Sequence, residues 1–183
     1  MKTTLLQTVM IVMLTASAFT QQSGFNGSTG ECGTPTDGIV LCLSKSGEPD
    51  GLMLEIRNVG AKDAVLNLGI MVGARQYPTA ITLIFRVGGG PIPFELEGPG
   101  VISGRVDPLI VSLPSEASLK LTLHPTQYGL GFKDFVRDLK HYTVQAELTG
   151  RKVSQSQANV NGLVLMPYWM GTVLSNNVQI DRQ

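Results

Sequence analysis

The sequence predicts an all-β protein, an antiparallel β-sandwich, and three observations lead there. Between Gly51 and Val87 three runs alternate apolar and polar residues, the period of a strand with one face buried. Turn signals recur along the chain at intervals of about 8–12 residues. No long stretch carries the 3.6-residue period of an amphipathic helix. About eight to ten short strands fit this rhythm, and a closed barrel is the second choice.

The first twenty of the 183 residues read as a secretory signal peptide. Lys2 and the α-amino group form a short positive region, Leu5 to Leu14 is apolar apart from Gln7 and Thr8, and Ala16-Ser17-Ala18 has the small-x-small pattern of a cleavage site. The mature chain is expected to begin between Phe19 and Gln22. The apolar run falls short of the ~20 residues needed to cross a bilayer, and no membrane span is expected after cleavage. The expected location is secreted, in the periplasm or outside the cell.

The chain carries 14 Lys plus Arg and 14 Asp plus Glu. Removing residues 1–20 takes away Lys2 alone, leaving 13 against 14 and a formal charge of −1. No basic cluster stands out, so a nucleic-acid partner is not expected. Residues 21–38 read as a flexible lead-in that contains Cys32, and residues 39–183 as the β domain. Asn26-Gly27-Ser28 matches the N-glycosylation acceptor. Two cysteines in an oxidising compartment, Cys32 and Cys42, predict a disulfide. Closing so short a loop contributes up to about 3 kcal/mol in the chain-entropy model.

The first strand spans Ile39 to Ser44, with Ile39, Leu41 and Leu43 on one face and Cys42 on the other. The cluster Ser46 to Gly51 is a turn. Leu52, Leu54 and Ile56 then alternate with Met53, Glu55 and Arg57. Val59 to Asp63 reads as a hairpin loop leading to a strand with Ala64, Leu66, Leu68 and Ile70 on one face. Ile81, Leu83, Phe85 and Val87 mark the next strand. Gly88-Gly89-Gly90-Pro91 is a turn, because no Gly-Lys-Ser/Thr follows to make a phosphate loop. Prolines flank two edge strands, Pro93 to Leu96 and Val101-Ile102. Gly104 to Pro108 reads as a loop that brings Arg105 near Asp107. Leu109 to Leu113 and Leu119 to Leu123 form a second hairpin around Pro114 to Ala117. His124 to Lys140 is a long loop with a helical turn over Lys133 to Leu139. Tyr142, Val144, Ala146 and Leu148 form a strand, Gly150 to Asn161 a loop, and Gly162 to Met166 and Gly171 to Ile180 the closing strands.

The run Leu54-Glu55-Ile56-Arg57-Asn58-Val59-Gly60, with the strand that follows to Leu68-Gly69, resembles the opening hairpin of bacterial immunoglobulin-like and fibronectin-like modules. The resemblance spans residues 39–87. It implies an immunoglobulin-like sandwich without the Cys…Trp…Cys spacing of antibody domains, and no catalytic residues come with it.

The search for chemistry points the same way. The two histidines, His124 and His141, lie at strand ends with no nucleophile elbow, since Gly100-Val101-Ile102-Ser103-Gly104 has the wrong spacing. They are seventeen residues apart in a sequence whose cysteines pair, which argues against zinc. Asp50, Asp63 and Asp107 are isolated turn residues rather than a calcium loop. No enzyme, cofactor or metal is expected. The most distinctive local feature is Pro167-Tyr168-Trp169-Met170, with the only tryptophan of the chain. Tyr168 and Trp169 are the candidate binding residues, because aromatics and Met are enriched at interfaces. The competing reading has Trp169 close one end of the sandwich.

The expected function is a secreted, non-catalytic binding or structural module, with another protein or a surface glycan as partner; no residue pattern sets an oligomeric state. The alternative is a secreted protease inhibitor that presents a loop from 88–108 or 124–140 on the β scaffold. A hydrolase assembled from scattered residues ranks third.

Overall fold

A computed structural model describes residues 31–48, 51–88, 90–100, 104–128, 139–154 and 161–181. The leader, Asn26, Asp50, the Val101-Ile102 strand and the helical turn expected to begin at Lys133 lie outside the described residues. The protein is all-β and antiparallel. In chain order the strands are β1 (Ile39–Lys45), β2 (Leu52–Asn58), β3 (Ala64–Val72), β4 (Arg75–Tyr77), β5 (Ile81–Arg86), β6 (Pro91–Glu95), β7 (Val106–Leu113), β8 (Ser118–Leu123), β9 (His141–Thr149), β10 (Thr172–Leu174) and β11 (Val178–Asp181). They form three sheets, ordered β1-β2-β8, β4-β3-β7 and β10-β9-β5-β6, with β11 also on β9.

The alternation in the sequence maps onto burial. Leu52, Leu54 and Ile56 of β2, Ile81, Leu83 and Phe85 of β5, and Tyr142, Val144, Ala146 and Leu148 of β9 all enter one core shared by the three sheets. Phe85 sits at its centre, edge-on to Phe94 at 5.4 Å and tilted against Tyr142 at 5.8 Å. Burying side chains of this size contributes roughly 1.5–3 kcal/mol each.

Two expected hairpins are instead crossovers between sheets. β2 pairs with β8, and β3 with β7, so Val59 to Asp63 carries the chain from the first sheet to the second. Pro114 to Ala117 carries it back. Alternation marks a strand and its buried face but leaves its partner open. The two crossovers stack, and Asn58 locks them together. Its Nδ2 donates to the carbonyls of Leu113 (2.9 Å) and Lys62 (2.8 Å), and its Oδ1 accepts from the Gly60 N–H (3.0 Å). Ser115 joins the lock, its hydroxyl donating to the Gly60 carbonyl and its N–H to Asp63.

Other departures have local causes. β3 shifts register between Asn67 and Gly69; at Gly69 φ is +151°, and a Cβ would lie 2.1 Å from the Tyr77 carbonyl oxygen, so the bulge requires glycine. β7 begins at Val106 rather than after Pro108. Among the described residues β3 is its one partner strand, and an edge strand tolerates proline. The ion pair expected in that segment is present, with Arg105 Nε 2.7 Å from Asp107 Oδ1.

Gly162 to Met166 does not form a strand. A single helical turn, α1 (Asn161–Val164), stands there, because a short apolar run does not distinguish helix from covered strand. The closing strand from Gly171 splits into β10 and β11, both on β9. Between them Ser175 keeps the ladder intact: its N–H donates to the Ala146 carbonyl, and its Oγ accepts from the Ala146 N–H, each at 2.8 Å. The Asn176 side-chain amide meanwhile pairs with both the N–H and the carbonyl of Leu43. It covers the outer edge of β1 much as a further strand would.

The Cys32–Cys42 disulfide is formed. It holds residues 32–36 along β1, where the Gly33 N–H donates to the Leu41 carbonyl at 2.8 Å. Among the described residues no helix is long and apolar enough to cross a membrane.

Candidate functional site

The first crossover, the turn before β1 and the segment after α1 meet at one end of the sandwich and line a groove of about 430 Å³. Three walls build it. Asp37 and Gly38 form the first, both in the left-handed region (φ 46° and 81°). Gly60 to Ala64 form the second. Pro167 and Trp169 form the third. The first two walls touch through backbone: the Gly38 carbonyl accepts from the N–H groups of Val59 (2.8 Å) and Gly60 (3.2 Å). A Cβ on Gly38 would lie 3.0 Å from the Gly60 Cα, so side chains are kept out of this approach.

Trp169 is 8 % exposed. Its backbone N–H donates to the Val65 carbonyl at 2.9 Å, which fixes the third wall to β3. The indole fits between two glycines: a Cβ on Gly150 would lie 2.8 Å from Cε3, and one on Gly171 2.6 Å from Cζ2. Its Nε1 is buried and has no hydrogen-bond partner among the described residues. Tyr168 is also buried, and its hydroxyl donates to the Leu163 carbonyl at 2.6 Å, pinning α1. Pro167 is exposed, and the large apolar side chains of this stretch that reach solvent are Leu165 (84 % exposed) and Met170 (53 %). Sequence reasoning singles out the aromatic pair and passes over these two, since a strand over 162–166 would put Leu165 under cover.

The groove thus has apolar walls from Ala61, Ala64, Pro167 and the indole, and a rim of both signs from Asp37, Lys62 and Asp63. Its size falls in the usual range for ligand pockets, about 300–1,000 Å³. Asp63 also accepts the Ser115 N–H at 3.1 Å, so part of its capacity is structural.

The remaining candidates lie elsewhere. His124 Nε2 is 3.6 Å from Glu48 Oε2, and His141 Nδ1 is 2.8 Å from Asp181 Oδ1. Each histidine is partnered by a carboxylate. Among the described residues no group of three His, Cys, Asp or Glu gathers as a metal site. Comparison of the chain with family models, with curated proteins and with solved structures finds no match.

Proposed function

We propose that this chain is an exported, non-catalytic binding module of the immunoglobulin-like or fibronectin-like kind, and that it holds another protein in the groove beside Trp169. The observation that carries the reading is the groove itself: apolar walls under a rim of mixed charge, built on backbone that Asn58 and Trp169 hold rigid. Apolar cover at the centre and charge at the rim is the anatomy of a protein-binding surface. Met170 and Leu165, which flank the third wall in the sequence, are exposed apolar side chains. In this reading Trp169 shapes the groove while its exposed neighbours touch the partner.

Capture from the native secretome by the immobilised mature chain tests it. Met170→Asp and Lys62→Glu should each weaken the captured interaction at least ~10-fold, about 1.4 kcal/mol, with the unfolding midpoint unchanged. A partner held equally well by both variants overturns the groove assignment. A protease panel run beside the capture separates the inhibitor reading, since inhibition at micromolar protein would replace this proposal.

A further inference from the structure

β1 and β2 run from the groove to a second opening at the far end of the sandwich. Gly38 and Asn58 line the groove, whereas Lys45 and Leu52 line the far cavity. The length of β2 separates the ends, roughly 20 Å at about 3.3 Å per residue. The cavity measures about 180 Å³. Its floor is core: Leu52, Phe85, Tyr142 and Val144 are all buried. Glu48, Asp181 and Lys45 stand among the residues that line it.

We propose that this cavity is a binding site for a small cationic amphiphile, one aromatic ring or branched alkyl group carrying a protonated amine. Size sets the apolar half, since an apolar cavity of about 150 Å³ takes a benzene-sized molecule. Charge sets the other half. Among the described residues that line it, the carboxylates of Glu48 and Asp181 are two against the single ammonium of Lys45, and they belong to separate elements, the β1–β2 turn and β11. Each has its histidine, His124 or His141. A carboxylate has room for several donors, so an incoming ammonium can share it with the histidine. This site stands apart from the groove and does not rest on the function proposed for it.

The experiment is an NMR titration of the mature protein with benzylammonium, benzyl alcohol and benzoate. Benzylammonium should shift the methyl signals of Leu52, Val144 and Ile180, benzyl alcohol should do so several-fold more weakly, and benzoate least. Asp181→Asn and Glu48→Gln, both at exposed positions, should weaken benzylammonium several-fold and leave benzyl alcohol unchanged. Ile180→Phe, on the half-buried last strand, should fill the cavity and abolish the shifts while the rest of the spectrum keeps its native dispersion. No shift at these methyls with any probe overturns the site. Equal binding of benzoate and benzylammonium overturns its preference for cations.

Discussion

Asn58 is 2 % exposed and makes three side-chain hydrogen bonds to backbone groups, of Gly60 and Lys62 in the first crossover and of Leu113 just before the second. Asn58→Ala would leave the Leu113 and Lys62 carbonyls without their donor, and each unsatisfied buried group costs about 1–3 kcal/mol. The expected loss is therefore ~2–6 kcal/mol by urea denaturation. Asn58→Asp should lose at least as much, because it turns an acceptor oxygen toward two carbonyls. A midpoint within error of wild type would remove Asn58 from the lock. Trp169→Ala empties the slot between Gly150 and Gly171 and should cost ~3–5 kcal/mol. Trp169→Phe should cost less, since it also removes a buried N–H that has no partner among the described residues. The exposed pair at the other end acts through a hydrogen bond. The His141 hydrogen bond holds the Asp181 carboxyl below its ordinary value of 3.8. A depressed carboxylate favours the folded state at pH above its unfolded value and loses that contribution as pH falls through the folded value. His141→Ala should raise the Asp181 titration midpoint toward 3.8, read by carboxyl NMR; an unmoved midpoint would show that the 2.8 Å contact carries no weight in solution.

At the scale of elements, the strands are legible in the sequence where one face is buried and the other is not. Leu52-Leu54-Ile56, Ile81-Leu83-Phe85 and Tyr142 through Leu148 can be read directly, because period two has one physical cause. Pairing is not legible. Whether Val59 to Asp63 turns back within a sheet or crosses to another depends on β7 and β8, far along the chain, and on Asn58 meeting Leu113. The groove is hidden for the same reason: its walls come from residues 37–38, 60–64 and 167–169, which only the crossovers bring together. The Ser175 and Asn176 side chains that stand in for backbone also carry no periodic signal. The disulfide is legible, from the even cysteine count together with the leader expected over residues 1–20, and it ties residues 32–36 to β1. Replacing both Cys32 and Cys42 by Ser should lower stability by up to ~3 kcal/mol. It should also speed amide exchange at Gly33 and Thr36 before the rest of the sheet. Protection of those two amides at the wild-type level would show that the strap stays down without its bond. Gly69→Ala tests the bulge separately, and its Cβ, so close to the Tyr77 carbonyl, should destabilise β3 and β4 together.

At the scale of the whole molecule, three sheets divide the strands but not the core. Leu41 and Ile56 of the first sheet, Leu66 and Leu109 of the second, and Leu83 and Val144 of the third all belong to one buried cluster. A single core predicts a single cooperative transition, as small domains usually show. Trp169 makes this measurable, because it is the only tryptophan and sits where the second and third sheets meet. Its backbone N–H bonds to Val65 of β3, and its ring packs against Gly150 and Gly171, next to the ends of β9 and β10. Its fluorescence therefore reports on those two sheets, whereas far-UV circular dichroism reports on all three. The first sheet joins them through β1, held by Asn176 at Leu43, and through the two stacked crossovers. Urea unfolding followed by both signals should give coincident midpoints and equal slopes. Asn58→Ala should move both midpoints down together, because it weakens the junction without dividing the core. Two separated midpoints in the wild type would mean that β1, β2 and β8 melt as their own unit, and the shared core would then be too weak to couple the sheets.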